Sequence, residues 1–374
     1  MMRLILLALA AGAVAGEPSR TWTLRDGRTF DAPLAAADGL RATFAPEEKP
    51  AFVVAISQLA QADAGFIGNW RADWHRPLIL PARLAPWPAS AAAPAGEVRF
   101  RGEDAGIFNY ESANFRIASE VQLPAGAVGD LAKVFEATRA ALIAMPLGLH
   151  AGGERASYDV SLLRDAESYK SAGGNEGTGG TYVARSRRVL VLLPNIGIEE
   201  GKTGIRLNYG GNLFVLKHEV THQLMARWHR GMPHWAWEGI AEVVASLPYA
   251  QGQYTLRNPG AGMRDYVLKW RKSKDSRTIK LVVPARLMAM SSADWKSSVE
   301  QQEAYDLYNS AALLTLYFVL QNGGAPFAGF LDALRRGDDP AIAERVHLLG
   351  GKSRESLAPD IIALARKLGI EVKL

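Results

Sequence analysis

The 374-residue chain contains no cysteine, which excludes disulfide frameworks, thiolate-held zinc or iron–sulfur centres and thiol catalysis. Histidine and the carboxylates are the strong metal ligands that remain, and there are only seven histidines. Charge of one sign is scarce as well. The 43 basic and 38 acidic residues leave +5, too small an excess for a dedicated nucleic-acid binder, so no nucleic-acid partner is expected. Long apolar runs are also missing. The two best, residues 4–15 and 311–320, fall short of the roughly 18 to 20 residues that cross a bilayer. No stable membrane insertion is expected, and residues 311–320 read as a buried helix instead. What remains, 48% hydrophobic and 22% charged with 36 Gly and 19 Pro, is the composition of a folded chain long enough for two domains.

The N-terminus combines a basic start, Met1-Met2-Arg3, with the apolar residues 4–15 and a small-x-small ending, Ala13-Val14-Ala15. This predicts a secretory signal peptide over 1–15 and an exported protein, periplasmic or extracellular. Residues 20–70 alternate in short runs (Trp22-Thr23-Leu24, Thr29-Phe30, Arg41-Ala42-Thr43-Phe44, Phe52-Val53-Val54) broken by Asp26-Gly27 and Asp38-Gly39, which is hairpin chemistry. A capped helical turn at 56–63 closes the segment. Four prolines among alanines (Pro81, Pro86, Pro88, Pro94) predict a semi-rigid linker over 76–97. Beyond it, 98–374 reads as a second domain. Strands are expected at 108–118, 158–163 and 188–193, a helix at 125–144, a flexible loop framed by Gly173-Gly174 and the glycines of 177–180, and mostly helix from 211 onward.

The chemistry concentrates at 215–242. His218-Glu219-Val220-Thr221-His222 is an HExxH pattern in an apolar run of helical length. Residues four apart share a helix face, so both imidazoles reach one ion, while Glu219 is turned about 100° away and stays free to act on a water. Chance produces such a pattern in a chain of this composition on the order of 0.01 times. Leu216, Val220 and Leu224 form a core-facing stripe; a buried helix whose histidines merely hydrogen-bond is the bland reading. Gly231 and Pro233 then end the helix and turn the chain into Trp235-Ala236-Trp237-Glu238-Gly239-Ile240-Ala241-Glu242. Two antiparallel helices can thus present His218, His222 and Glu238 to one Zn²⁺. Glu242, one turn beyond Glu238, is the rival ligand, with orientation of a ligand imidazole as its expected role. His229 and His234 are expected at the helix end and in the turn.

HEVTH followed by Pro-x-Trp-x-x-Glu-Gly-x-Ala-Glu resembles the gluzincin zinc metallopeptidases, and within them the peptidase-MA-like group of exported bacterial proteins. The resemblance covers roughly 105–370. It implies an α+β, thermolysin-like domain that is helical in its C-terminal part, Glu238 as third zinc ligand, Glu219 as general base and a peptide or protein substrate. It also implies an oxyanion donor, for which Tyr308 and Tyr305 stand about 70 residues past Glu238 at the start of an apolar helix, Tyr308 fitting the family pattern better. The aminopeptidase amine-anchoring motif is missing upstream of His218. Residues 16–75 resemble the Sla-type homology module, a small all-β barrel, and this implies a docking function or a packed accessory domain. The cluster Arg264, Lys269, Arg271, Lys272, Lys274, Arg277 and Lys280, interrupted by Asp265 and Asp275, reads as a solvated face, with recognition of an acidic peptide or polymer as the alternative. Two functions follow: an exported zinc peptidase, or an envelope scaffold whose N-terminal module binds a partner. The intact Glu219 favours the first, because a scaffold needs no general base.

Overall fold

The computed structural model describes residues 19–37, 41–44, 46, 49–50, 52–74, 86–149, 157–175, 177–201, 204–208, 213–269 and 278–374. The expected signal peptide, the Asp38-Gly39 turn, the first part of the expected linker and Arg271, Lys272, Lys274 and Arg277 of the basic cluster lie outside them. The chain divides into two units, residues 1–77 with 184–187 and residues 78–183 with 188–374.

In the first unit, β1 (Arg20–Thr23) and β2 (Thr29–Ala32) form a hairpin across the Asp26-Gly27 turn. Strands β3 (Leu34–Ala37), β4 (Arg41–Phe44) and β5 (Phe52–Ala55) form an antiparallel meander. A single bridge, Leu24 to Leu59, follows, and then α1 (Gln61–Trp74). Alternation drives the arrangement. Trp22, Ala32, Leu34, Ala42, Phe44 and Val54 all point into one core, where the Trp22 and Phe44 rings meet edge to face at 4.9 Å. Among the described residues the strands make two separate sheets rather than one closed ladder.

The second unit is mixed α+β. Its 86–97 stretch is not a linker throughout: Trp87 Nε1 donates to the Gly323 carbonyl at 2.8 Å, and β6 (Ser90–Ala92) pairs with a strand more than 160 residues later. The expected strand at 108–118 is two strands. The Ser112-Ala113-Asn114 turn separates them because buried Glu136 accepts hydrogen bonds from Ser112 Oγ, Asn114 N and Asn114 Nδ2 at 2.7–2.8 Å. A six-stranded sheet contains β7 (Arg99–Asp104), β8 (Ile107–Glu111), β9 (Phe115–Ser119), β10 (Tyr158–Leu163), β11 (Gly180–Val183) and β12 (Arg188–Leu192), in the order β11-β12-β10-β9-β8-β7. Strand β10 runs parallel to both neighbours; the other pairs are antiparallel. On the outer side, register lines up Arg99, Glu111, Arg116, Asp159 and Arg188 as an alternating-charge row across five strands.

Apolar residues of the inner face meet α2 (Ala125–Ala144), with Phe115 and Phe135 rings 5.5 Å apart. A short helix α3 (Ala166–Ser171), capped by Asp165, covers part of the outer face through Tyr169. The hairpin β13 (Ile198–Gly201) and β14 (Gly204–Leu207) precedes α4 (Leu213–Leu224) and α5 (His234–Ser246). The small strands β15 (Tyr249–Ala250) and β16 (Gln253–Thr255), the latter the partner of β6, lead to α6 (Met263–Lys269). After β17 (Thr278–Lys280), α7 (Pro284–Ala289), α8 (Ser292–Ser298) and α9 (Ala304–Leu320) follow. Residues 311–316, 318 and 319 of α9 are buried, as the apolar run 311–320 predicts. No helix among the described residues is long and apolar enough to cross a membrane.

Candidate metal centre

The HExxH residues lie on α4, whose apolar stripe is buried, so the helix is fixed in roll and both imidazoles emerge on the face toward α5. Pro233 opens α5, and Glu238 follows one turn later. His218 Nε2 and His222 Nε2 are 2.9 Å apart, and Glu238 Oε2 lies 3.4 Å from the first and 3.3 Å from the second. These three atoms form the one group of His, Asp or Glu donors among the described residues that could hold a metal ion. Burial would raise the Glu238 carboxyl, but the His222 and His218 imidazoles overcome it and hold the group well below the usual carboxylate range.

Glu219 stands apart from this trio. Its Oε2 accepts a hydrogen bond from the Tyr182 backbone N–H of edge strand β11 at 2.6 Å. Burial pushes its pKa up, against the pull of both imidazoles. The glycines expected to frame a flexible loop do something more specific here. Gly180 begins β11, and a Cβ on it would fall 2.6 Å from Val215 Cγ1 and 2.9 Å from Glu219 Cγ, so only glycine lets the strand lie this close to α4.

No protein-family model, curated protein or solved structure matches this chain.

Around the trio, Glu242 lies outside the group of three donor atoms. Its Oε1 lies 3.1 Å from His218 Nδ1, on the far side of that ring, while its Oε2 accepts from the Tyr266 hydroxyl of α6. Tyr308 packs edge-on to His218 with ring centroids 6.2 Å apart and also against Trp295 of α8 at 5.3 Å. Burial, reinforced by the charge of Glu238, pushes its phenol well above the ordinary value, so it is a protonated donor at neutral pH. Tyr305 is placed elsewhere: its hydroxyl donates to the Val267 carbonyl at 3.3 Å. The His234 Nε2, expected in a turn, is 3.6 Å from Glu238 Oε1, with Nδ1 at 3.3 Å from Ser292 Oγ. The side chain of His229 lies outside the described residues. Sequence reasoning misses Tyr266, Trp295 and the Tyr182 amide, because each comes from a segment far away in the chain and no local pattern marks it.

Proposed function

We propose that this chain is a zinc-dependent peptidase of gluzincin type, with His218, His222 and Glu238 as ligands and Glu219 as general base. One observation carries the reading. Three ligands at the roughly 2.0–2.1 Å bond lengths of tetrahedral zinc stand about 3.3 Å from one another, and the donor separations here are 2.9, 3.3 and 3.4 Å. Two imidazoles with one carboxylate also suit zinc better than magnesium or calcium, which prefer all-oxygen shells. Zinc, when bound, supplies Lewis acidity that polarises a carbonyl and makes a water a stronger acid.

The chain's own groups do the rest. Glu219, held by the Tyr182 amide through Oε2 and lying outside the ligand trio, takes a proton from the attacking water and hands it to the leaving amine. The neutral Tyr308 phenol donates to the oxygen on which charge develops. Glu242, in contact with His218 Nδ1 and Tyr266, fixes the ring that it touches and raises its basicity. On this reading residues 98–374 form a thermolysin-like catalytic domain acting on a peptide or protein outside the cytoplasm, and residues 16–75 form a small barrel-like module of Sla-homology type that engages an envelope partner.

The test is elemental analysis of the purified protein followed by a peptide-library cleavage assay on parent and Glu219→Gln proteins. One zinc per chain and cleavage that disappears in the variant support the reading. Zinc binding without cleavage of any peptide would leave a zinc-fold scaffold, the second function that the sequence allows.

A further inference from the structure

The two imidazoles of the cluster are held by different devices. His218 has a carboxylate behind it, Glu242 Oε1 at 3.1 Å from Nδ1, and that carboxylate is itself bonded by Tyr266. The corresponding atom of His222 has no such carboxylate: both Nδ1 atoms are buried and neither makes a hydrogen bond of normal geometry among the described residues, so the contact with Glu242 is what distinguishes the two rings. Yet the His222 ring needs fixing as much as the other, because the terminal torsion of a histidine is broad and two-fold and the backbone does not set it. What lies against it is Trp237, the residue just before Glu238. The indole and imidazole rings are stacked, with centroids 4.6 Å apart and 18° between planes, and Trp237 is 5% exposed. No other aromatic ring of the described residues stacks face to face on either imidazole.

We propose that Trp237 is the positioning residue of His222, setting the plane of the imidazole by stacking where a hydrogen bond to Nδ1 would ordinarily set it. Being adjacent to Glu238 on α5, it couples two ligands: any shift of α5 that carries Glu238 also carries the surface on which His222 rests. A face confines the ring to its plane without adding charge. His222 therefore lacks the carboxylate support that increases the basicity of His218, and the pair is asymmetric in donor strength. The indole offers a large, rigid surface for this purpose, and an aliphatic side chain of similar bulk would fill the space without defining a plane.

The proposal rests on the reading of the trio as a metal site, and zinc and cobalt affinities of the full chain test both without any activity assay. Zinc dissociation constants would be measured by competition with a chromophoric chelator for the parent, Trp237→Phe, Trp237→Leu and Trp237→Met, and the visible absorption of the cobalt-loaded forms recorded. Loss of a group that orients a metal-ligating histidine costs about 10- to 100-fold in metal affinity. The expected result is Trp237→Phe within about threefold of the parent, and Trp237→Leu weaker by at least tenfold with an altered cobalt spectrum. Trp237→Met stands in if the leucine variant does not fold. Aliphatic variants that bind zinc as tightly as the parent overturn the assignment, as does a phenylalanine variant as weak as the aliphatic ones. A parent that binds neither ion overturns the metal reading itself, and the assignment with it.

Discussion

A Cβ on Gly239 would stand 2.1 Å from Thr315 Oγ1 and 2.6 Å from the Ala311 carbonyl oxygen. Helices α5 and α9 therefore meet nearly backbone to backbone, one residue after Glu238. Gly239→Ala must push α5 away from α9, and overpacking of this kind costs roughly 1–3 kcal/mol. Since α5 carries Glu238 and α4 carries the histidines, the same displacement distorts the ligand triangle. The expected outcome is a lower denaturant midpoint together with weaker zinc binding. Gly126→Ala, in α2 with nothing within 4 Å of its Cβ position, is the control and should hold or gain stability. Gly239→Ala protein as stable as the parent would show that the helices can part at no cost.

The proposed base and the carboxylate ligand are separable. Glu219→Gln still offers an oxygen to the Tyr182 amide but cannot take a proton, and its side chain lies outside the donor trio. Zinc should remain bound while hydrolysis falls at least about 100-fold, the low end of a positioned general base. Glu238→Gln removes the one anionic donor and should weaken zinc binding instead. Metal content and turnover measured on both variants decide this. Full activity in Glu219→Gln would end the peptidase mechanism, and zinc loss confined to Glu242→Gln would move the third ligand by one turn.

Tyr308 and Tyr305, three residues apart on α9, should behave oppositely. Removing one donor to a developing oxyanion typically lowers kcat by about 10²- to 10³-fold, and Tyr308→Phe should do so with KM and zinc content near the parent values. The Tyr305 hydroxyl bonds the Val267 carbonyl, so Tyr305→Phe should cost only about 0.5–1.5 kcal/mol of stability and leave kcat within a few fold. Steady-state kinetics and denaturation of the two variants give the comparison. If the effects were exchanged, the donor assignment would be exchanged with them.

How far the site was legible depends on the range of the contacts. His218 and His222 share a helix face by arithmetic alone, and the Gly231-Pro233 break returns the chain so that Glu238 can meet them. Tyr305 and Tyr308 could not be separated in this way, because residues i and i+3 lie on neighbouring parts of a helix surface and only the packing of α9 selects one. Tyr266 and Tyr182 had no local signal at all, one reaching Glu242 across 24 positions and the other Glu219 across 37. The fold shows the same division. The helix at 125–144 was readable from its own periodicity, and residues 90–92 were not, since proline and alanine suggest a linker until the pairing with 253–255 is seen.

Metal removal should register as lost stability. The trio places a buried carboxylate and two buried or nearly buried imidazoles within 3.4 Å of one another, an arrangement that an unfolded chain does not preserve. An ion that binds only the folded chain stabilises it by mass action, about 2.7 kcal/mol when free metal is 100-fold above its dissociation constant. Thermal melts in excess chelator should therefore shift down from those in zinc, by a few degrees for a domain of this size. Re-addition of zinc should restore the parent melt, and magnesium at the same concentration should not, because it disfavours imidazole donors. His222→Ala removes a ligand, so its melt should be the same with chelator and with zinc. If that variant kept the full zinc-dependent shift, the stabilising ion would be bound somewhere other than at His218, His222 and Glu238.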